Sequence, residues 1–317
     1  MSLLALHPWL TAAGLALVLT PVAHLLYAAW VRRRFPLAGQ VFEHEGVRLH
    51  YRRSGAGPVV VLVHGANGTS DDFPRELLQE LARDHTVLAL DRPGHGWSGV
   101  LGGPLGMHEN AQALLALVRL HPGGPATIVG HSYGAAVAMR AALESPESIG
   151  HVIAVTPCTA LDPRNSRYAR VPLAGEPIGL PLFHFLSLLC MPFGVPLRKE
   201  AWHPHAAPAG WSASRAFAYV PSQMHAVTRN FRTLHADVAW LEDHLPHLQC
   251  RLTVLAGADD KITPPARHVD WLRSIVPNAR FEVLPGVGHW LPRLRPDLVV
   301  AAVRDEEPAQ PPGPSRR

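Results

Sequence analysis

Charge and cysteine are what this chain has least of. Only 17% of its 317 residues are Asp, Glu, Lys or Arg, against 47% hydrophobic. That balance excludes a disordered chain and leaves ample apolar surface for a core, in one large α/β domain with an insertion or in two small domains. The 3 cysteines, Cys158, Cys190 and Cys250, are far apart and odd in number. They argue against a disulfide framework and a Cys-based zinc site, and suit a reducing compartment. Histidine is plentiful at 20 residues, yet no His-Glu-x-x-His helix occurs. His203 and His205 are separated by Pro204, which reads as a surface loop, so no metal and no cofactor is expected. The net charge of +4 sits largely in Arg32-Arg33-Arg34 and Arg316-Arg317. No basic stripe with interleaved aromatics is present, and a nucleic-acid partner is not expected.

The first 31 residues lack Asp, Glu, Lys and Arg altogether. Leu10 to Trp30 has about the 20 mostly apolar residues a membrane-crossing helix needs, interrupted by Pro21 and His24. Trp9, Tyr27 and Trp30 fall near its ends, where amphipathic rings favour the headgroup region. Arg32-Arg33-Arg34 follows directly. The expectation is therefore a single-pass transmembrane helix whose arginines, with the domain behind them, face the cytoplasm. A cleaved signal peptide fits less well, because the charge lies on the wrong side and Ala28-Ala29-Trp30 is a poor cleavage site.

On either side of the turn cluster Gly55-Ala56-Gly57-Pro58 regular patterns begin, and beyond it strand and helix alternate. Val47, Leu49 and Tyr51 alternate with polar residues, as in a half-exposed strand. Val59–Val63 is a continuous apolar run, as in a strand buried on both faces. Phe73, Leu77, Leu78 and Leu81 form a helical stripe with Asp71 or Asp72 near its N-cap. Strands at Thr86–Leu90, Ala126–Val129, Val152–Val155, Leu252–Leu255 and Arg280–Leu284 are interleaved with helices at Asn110–Leu120, Ala135–Leu143, Ala266–Ile275 and Pro296–Val303. This order predicts an α/β fold, a mostly parallel central sheet with helices on both faces. The interval 158–250 breaks the alternation. It is Pro-punctuated and rich in Trp, Phe, Leu and His, as in Leu180–Phe193 and Trp240–Leu245, and is too long for a structureless loop. An inserted helical cap is expected there. The resulting organisation is an anchor and linker at 1–40, a core at 41–157, the cap at 158–250, the rest of the core at 251–305 and a disordered tail at 306–317.

Gly130-His131-Ser132-Tyr133-Gly134 matches the Gly-x-Ser-x-Gly elbow in its required context, after a strand and before a helix. Ser132 must sit on a strained turn that exposes its hydroxyl, and the flanking glycines let the strand and helix backbones approach. Triad partners should follow in the order acid, then histidine. Asp260, or its neighbour Asp259, follows one strand, and His289 in Gly286-Val287-Gly288-His289 follows the last.

These segments resemble the α/β-hydrolase superfamily from about residue 41 to 305. The Val61-Leu62-Val63-His64-Gly65 run is similar to the family's strand ending in His-Gly, which implies Ala66 N–H and Tyr133 N–H as oxyanion donors. Asp91-Arg92-Pro93-Gly94-His95-Gly96-Trp97-Ser98 looks like the family's Asp-x-Pro-Gly-x-Gly-x-Ser loop, with a structural role. The Gly-x-x-Asp pattern places the acid at Asp260, and Gly-x-Gly-His makes His289 the base. His64 and His131 are read as packing residues, and Trp290 as packing near the site. The resemblance implies a serine hydrolase forming an acyl-enzyme. With the apolar cap and bilayer attachment, an apolar or lipid-like ester is the expected substrate, as in monoacylglycerol-lipase-like hydrolases. A cofactor-free haloperoxidase-like perhydrolase or a carbon–carbon bond hydrolase would use the same triad. A non-catalytic relative acting as a binding protein is the reading from another class. A serine at position 132 disfavours epoxide hydrolases and haloalkane dehalogenases, whose nucleophile is aspartate.

Overall fold

A computed structural model describes residues 3–160, 199–208 and 212–306. Among them, helix α1 (Leu3–Arg34) leads into β1 (Gln40–His44), β2 (Val47–Ser54), β3 (Val59–Val63), α2 (Arg75–Leu81), β4 (Thr86–Leu90) and α3 (Met107–Arg119). β5 (Ala126–His131), α4 (Tyr133–Glu144) and β6 (Ile149–Val155) complete the first half. Between β6 and β7 (Arg251–Gly257) lie α5 (Ala213–Phe217) and the long α6 (Pro221–His244). The chain closes with α7 (Pro265–Ile275), β8 (Arg280–Leu284), α8 (Leu291–Leu294) and α9 (Pro296–Arg304).

The strands form one sheet in the order β1-β2-β4-β3-β5-β6-β7-β8. β2 runs antiparallel to β1 and β4, and every other pairing is parallel. The continuous apolar runs follow from burial on both faces. Val59, Val61 and Val63 point into the layer built with α3, α4, α6 and α7. Val60 and Leu62 point into the layer with α2 and α9. β1 was not expected from the sequence. It is an edge strand whose Val41 is exposed and Phe42 buried, joined to β2 through Glu45 and Gly46, both at positive φ (50° and 72°) as a two-residue hairpin requires. The stripe at Leu77–Leu81 is helical as expected, but Asp71 and Asp72 do not cap it. They form a 3₁₀ turn capped by Thr69, and Pro74 precedes α2.

The N-terminal segment is helical over Leu3–Arg34, but the expected transmembrane span is not found: among the described residues no helix is long and apolar enough to cross a membrane. Thr20, Pro21 and His24 dilute the apolar run, and the last turns rest on the protein instead. Ala28 and Val31 pack with Ala216, Phe217 and Val220, and the Tyr27 hydroxyl donates to the Ala216 carbonyl (2.8 Å). Of the expected helical cap, Leu180–Phe193 lies outside the described residues, while Trp240 to His244 ends α6. The tail beyond Glu306 also lies outside them.

Candidate active site

Ser132 stands between β5 and α4 at φ 55°, ψ −118°, a conformation that costs a non-glycine residue about 1–3 kcal/mol and marks a functional constraint. Its neighbours explain how the turn is tolerated. A Cβ on Gly130 would lie 2.4 Å from the Gly134 carbonyl oxygen, and one on Gly134 would lie 2.2 Å from that of Val63. Only glycine fits at either place. The strain points Ser132 out of the sheet at the N-terminus of α4, where unpaired N–H groups and the helix dipole favour negative charge.

Asp260 and His289 meet across the ends of β7 and β8. His289 Nδ1 lies 2.8 Å from Asp260 Oδ2. Asp260 Oδ1 accepts the N–H groups of Ile262 (2.8 Å) and Thr263 (2.9 Å), and the Thr263 hydroxyl donates to Oδ2 (2.8 Å). Burial alone would raise this carboxyl. The facing His289 and the bonds from His289 and Thr263 outweigh it and hold Asp260 down at about 2. A carboxylate only accepts, so Nδ1 carries the proton and Nε2 is left as a proton acceptor. Asp259, the neighbouring alternative, is turned away and accepts the Gly286 N–H (2.8 Å) at the surface.

His131 ties the strand that ends at Ser132 to the histidine loop. Its Nε2 donates to the His289 carbonyl (3.0 Å), which also receives the Thr156 hydroxyl (3.2 Å). Burial, and then the proximity of His289, push the His131 ring down to about 3, so it stays neutral. It therefore orients His289 through the backbone, beyond the packing role expected of it. Trp290 packs against His131 (5.4 Å between centroids) and stacks on Trp202 (5.5 Å).

Ala66 follows β3 and Tyr133 opens α4. Among the described residues neither N–H meets a protein acceptor, so both are available to an incoming oxygen. The 64–68 turn is held from behind by groups the sequence reading missed. Arg92, fully buried, bonds the carbonyls of His64, Gly65 and Ala66. From α6, Gln223 donates to Asn67 and Gly68 while accepting the Gly96 N–H. Asp91 is structural, as expected: its carboxylate accepts Ser70 N–H (2.6 Å) and Trp97 N–H (3.0 Å) and pairs with His50 Nδ1 (2.8 Å). His95 lies against the Ala66 carbonyl (Nε2 at 2.8 Å) and takes no place beside Ser132. A cavity of ≈480 Å³ bordered by Arg34, His50, Asp91 and Trp97 is a separate feature, since none of Ser132, Asp260 and His289 lines it. Among the described residues no cluster could hold a metal ion.

Among the described residues no hydrogen bond joins the Ser132 hydroxyl to His289, which His131 ties to the same strand end. A strained serine, a histidine oriented by a buried carboxylate and two N–H groups without an acceptor among the described residues are the parts that nucleophilic acyl transfer needs. Residues 60–302 match the model of the Alpha/beta hydrolase family. The 2-(acetamidomethylene)succinate hydrolase of Mesorhizobium japonicum is 31% identical over 81% of this chain and 90% of its own length. The non-heme haloperoxidase of Rhodococcus erythropolis is 26% identical, covering 81% and 94%. A solved hydrolase from Pseudomonas aeruginosa superposes at TM-score 0.69 with 23% identity, over 84% of this chain and 98% of its own.

Proposed function

Because the chain belongs to the alpha/beta hydrolase family, we propose that it is a serine hydrolase cleaving carboxylic esters of apolar or lipid-like acids. One observation carries the reading: a strained Ser132 whose neighbour His131 bonds the backbone of His289, itself bonded to buried Asp260. His289 Nε2 takes the Ser132 proton as the hydroxyl attacks the ester carbonyl. Ala66 N–H and Tyr133 N–H receive the oxygen as it becomes negative, and Asp260 stabilises the charged imidazole. The alcohol leaves with the proton from His289, and water attacks the acyl-Ser132 with His289 again as base. A fluorophosphonate should label the chain and not Ser132→Ala, and p-nitrophenyl esters of increasing length should reveal the acyl preference. A folded protein that neither reacts with the probe nor turns over any ester would sink the proposal in favour of a binding protein.

The likeness to a haloperoxidase supports a second reading, in which peroxide replaces water at the acyl-enzyme and a peracid leaves. Peroxide-dependent halogenation in acetate buffer distinguishes it. Cleavage of a vinylogous diketone would instead identify a carbon–carbon bond hydrolase.

The enzyme's place is proposed to be a membrane, with the catalytic domain on the cytoplasmic side. Leu15, Leu19, Val22, Leu26 and Trp30 form an exposed stripe on α1, followed by the exposed Arg32, Arg33 and Arg34. Apolar side chains backed by arginines suit an anionic bilayer. Co-flotation with anionic vesicles, weakened in Leu26→Glu, is the expected result; equal flotation of both proteins, or of neither, refutes it.

A further inference from the structure

Arg92 poses a problem that the reaction as written does not solve. It is completely buried, and among the described residues no carboxylate pairs with it. A buried charge without a counter-ion is costly, so it persists only where its donors are satisfied. Here every donor direction ends on a neutral dipole. Nε donates to the His64 carbonyl (3.2 Å). One terminal nitrogen donates to Asn110 Oδ1 (2.9 Å) and Asn230 Oδ1 (2.8 Å). The other donates to the carbonyls of Gly65 (2.8 Å) and Ala66 (3.2 Å).

The shortest contact to the turn is the telling one. The Gly65 carbonyl belongs to the same rigid peptide unit as the Ala66 N–H, with its oxygen and hydrogen at opposite ends. His64 adds a second donor to that oxygen. Its Nε2 accepts the Arg92 backbone N–H (3.0 Å), which leaves the proton on Nδ1, 2.8 Å from the Gly65 carbonyl. Two donors, one of them cationic, therefore pull electron density away from the amide whose N–H has no acceptor among the described residues. Hydrogen bonds in series polarise one another in this way.

We propose that Arg92 is a positioning residue for the hydrolysis: its guanidinium fixes and polarises the Gly65–Ala66 peptide, strengthening the Ala66 N–H as an oxyanion donor. The proposal rests on the serine-hydrolase reading. It adds a fixed positive charge one peptide unit behind the developing negative oxygen, where no ion need move during the reaction. Because the effect grows with negative charge on the oxygen, it acts on the tetrahedral state more than on the bound ester.

The test compares the full chain with Arg92→Lys and Arg92→Gln, each checked for folding by circular dichroism. The readouts are acylation rate and KM for a p-nitrophenyl ester, affinity for an alkyl boronic acid that forms a tetrahedral adduct on serine, and the infrared stretching frequency of the acyl-enzyme carbonyl. Arg92→Gln should slow acylation and weaken the boronate about 10- to 100-fold, less than or comparable to the loss of a whole oxyanion donor. The carbonyl frequency should rise while KM stays within a few-fold. Arg92→Lys, with the charge but not the fork, should lie between in every readout. A folded Arg92→Gln with native rate overturns the proposal, as does a slowed one with native boronate affinity and carbonyl frequency. If only Arg92→Lys folds, native values in that variant overturn it. Failure of the underlying reading looks different: the unmodified protein would form no acyl-enzyme at all.

Discussion

Lowering the pH from 7.5 to 5.0 should remove a large part of the protein's stability, through histidines buried behind the active site. His64, His95 and His131 are 0%, 0% and 3% exposed. Burial and the Arg92 charge hold His95 at about 3; burial and His289 do the same for His131; burial and Arg92 push His64 well below its usual range. The unfolded chain has imidazoles with ordinary values near 6.5. Depressed folded values mean that these rings cost nothing above pH 6.5, and that stability is lost as the pH falls from there towards 3, because only the unfolded state takes up the protons. At pH 5 His95 and His131, and with them the buried His151, which burial and then Arg251 hold at about 4, each contribute a loss of about 2 kcal/mol, or about 6 kcal/mol for the three, and His64 adds to it in the same direction. Asp72 acts in the opposite direction. Its burial raises the carboxyl to about 6, so protonation in the folded state returns roughly 1 kcal/mol over the same interval. The net loss of about 5 kcal/mol is comparable to the whole stability of many domains, about 5–15 kcal/mol. Urea unfolding followed by tryptophan fluorescence at both pH values measures it. His131→Gln should shrink the pH dependence by about 2 kcal/mol. Equal unfolding free energies at pH 7.5 and 5.0, or an unchanged dependence in His131→Gln, would mean that the buried rings do not titrate differently in the folded and unfolded chain.

Three further outcomes are expected. Asp260→Asn keeps the shape but supplies His289 with the wrong partner, so kcat for esters should fall about 10³- to 10⁴-fold with little change in KM; a loss under tenfold would remove Asp260 from the triad. Thr263→Val deletes a hydroxyl that donates to Asp260 Oδ2, so the carboxylate loses one of the bonds that hold it down, and its titration, followed by the carboxyl carbon chemical shift, should move up from about 2 and not down. Gly134→Ala places a Cβ 2.2 Å from the Val63 oxygen and 2.6 Å from that of His64; a thermal melt should show a cost of about 3 kcal/mol or more, and a native melting temperature would show that the elbow can relax.

The parallel core was legible because burial on both faces leaves continuous runs such as Val59–Val63 and Thr86–Leu90, which coincide with β3 and β4. β1 was not, because an edge strand with one buried side chain carries almost no pattern. Ser132, Asp260 and His289 could be named as candidates since each sits in a local motif after a strand. Arg92, Thr156, Gln223 and Asn230 could not: their partners are distant in sequence, 138 residues apart for Arg92 and Asn230 and 156 for Gln223 and Asn67. Thr263 was within reach, three residues after Asp260, where a carboxylate commonly accepts the N–H groups just downstream. The N-terminal apolar stretch was read by composition, and composition does not report that Ala28 and Val31 have a protein surface to pack against.

Helix α6 has a consequence for anyone who would re-engineer this enzyme. Asn230 from α6 accepts from Arg92, Gln223 grips the turn at Asn67 and Gly68, and Ala226 fills the space over Gly94 that any larger residue there would need. Grafting the equivalent segment of another hydrolase, as a route to new substrates, would therefore exchange more than the walls of a pocket. Unless the graft carries an asparagine and a glutamine at the same two helical positions, it will release the Arg92 guanidinium and the turn at Asn67 and Gly68 from the bonds that hold them. A chimera can bind its new ester and still turn it over slowly, and restoring those two side chains is the first repair to make.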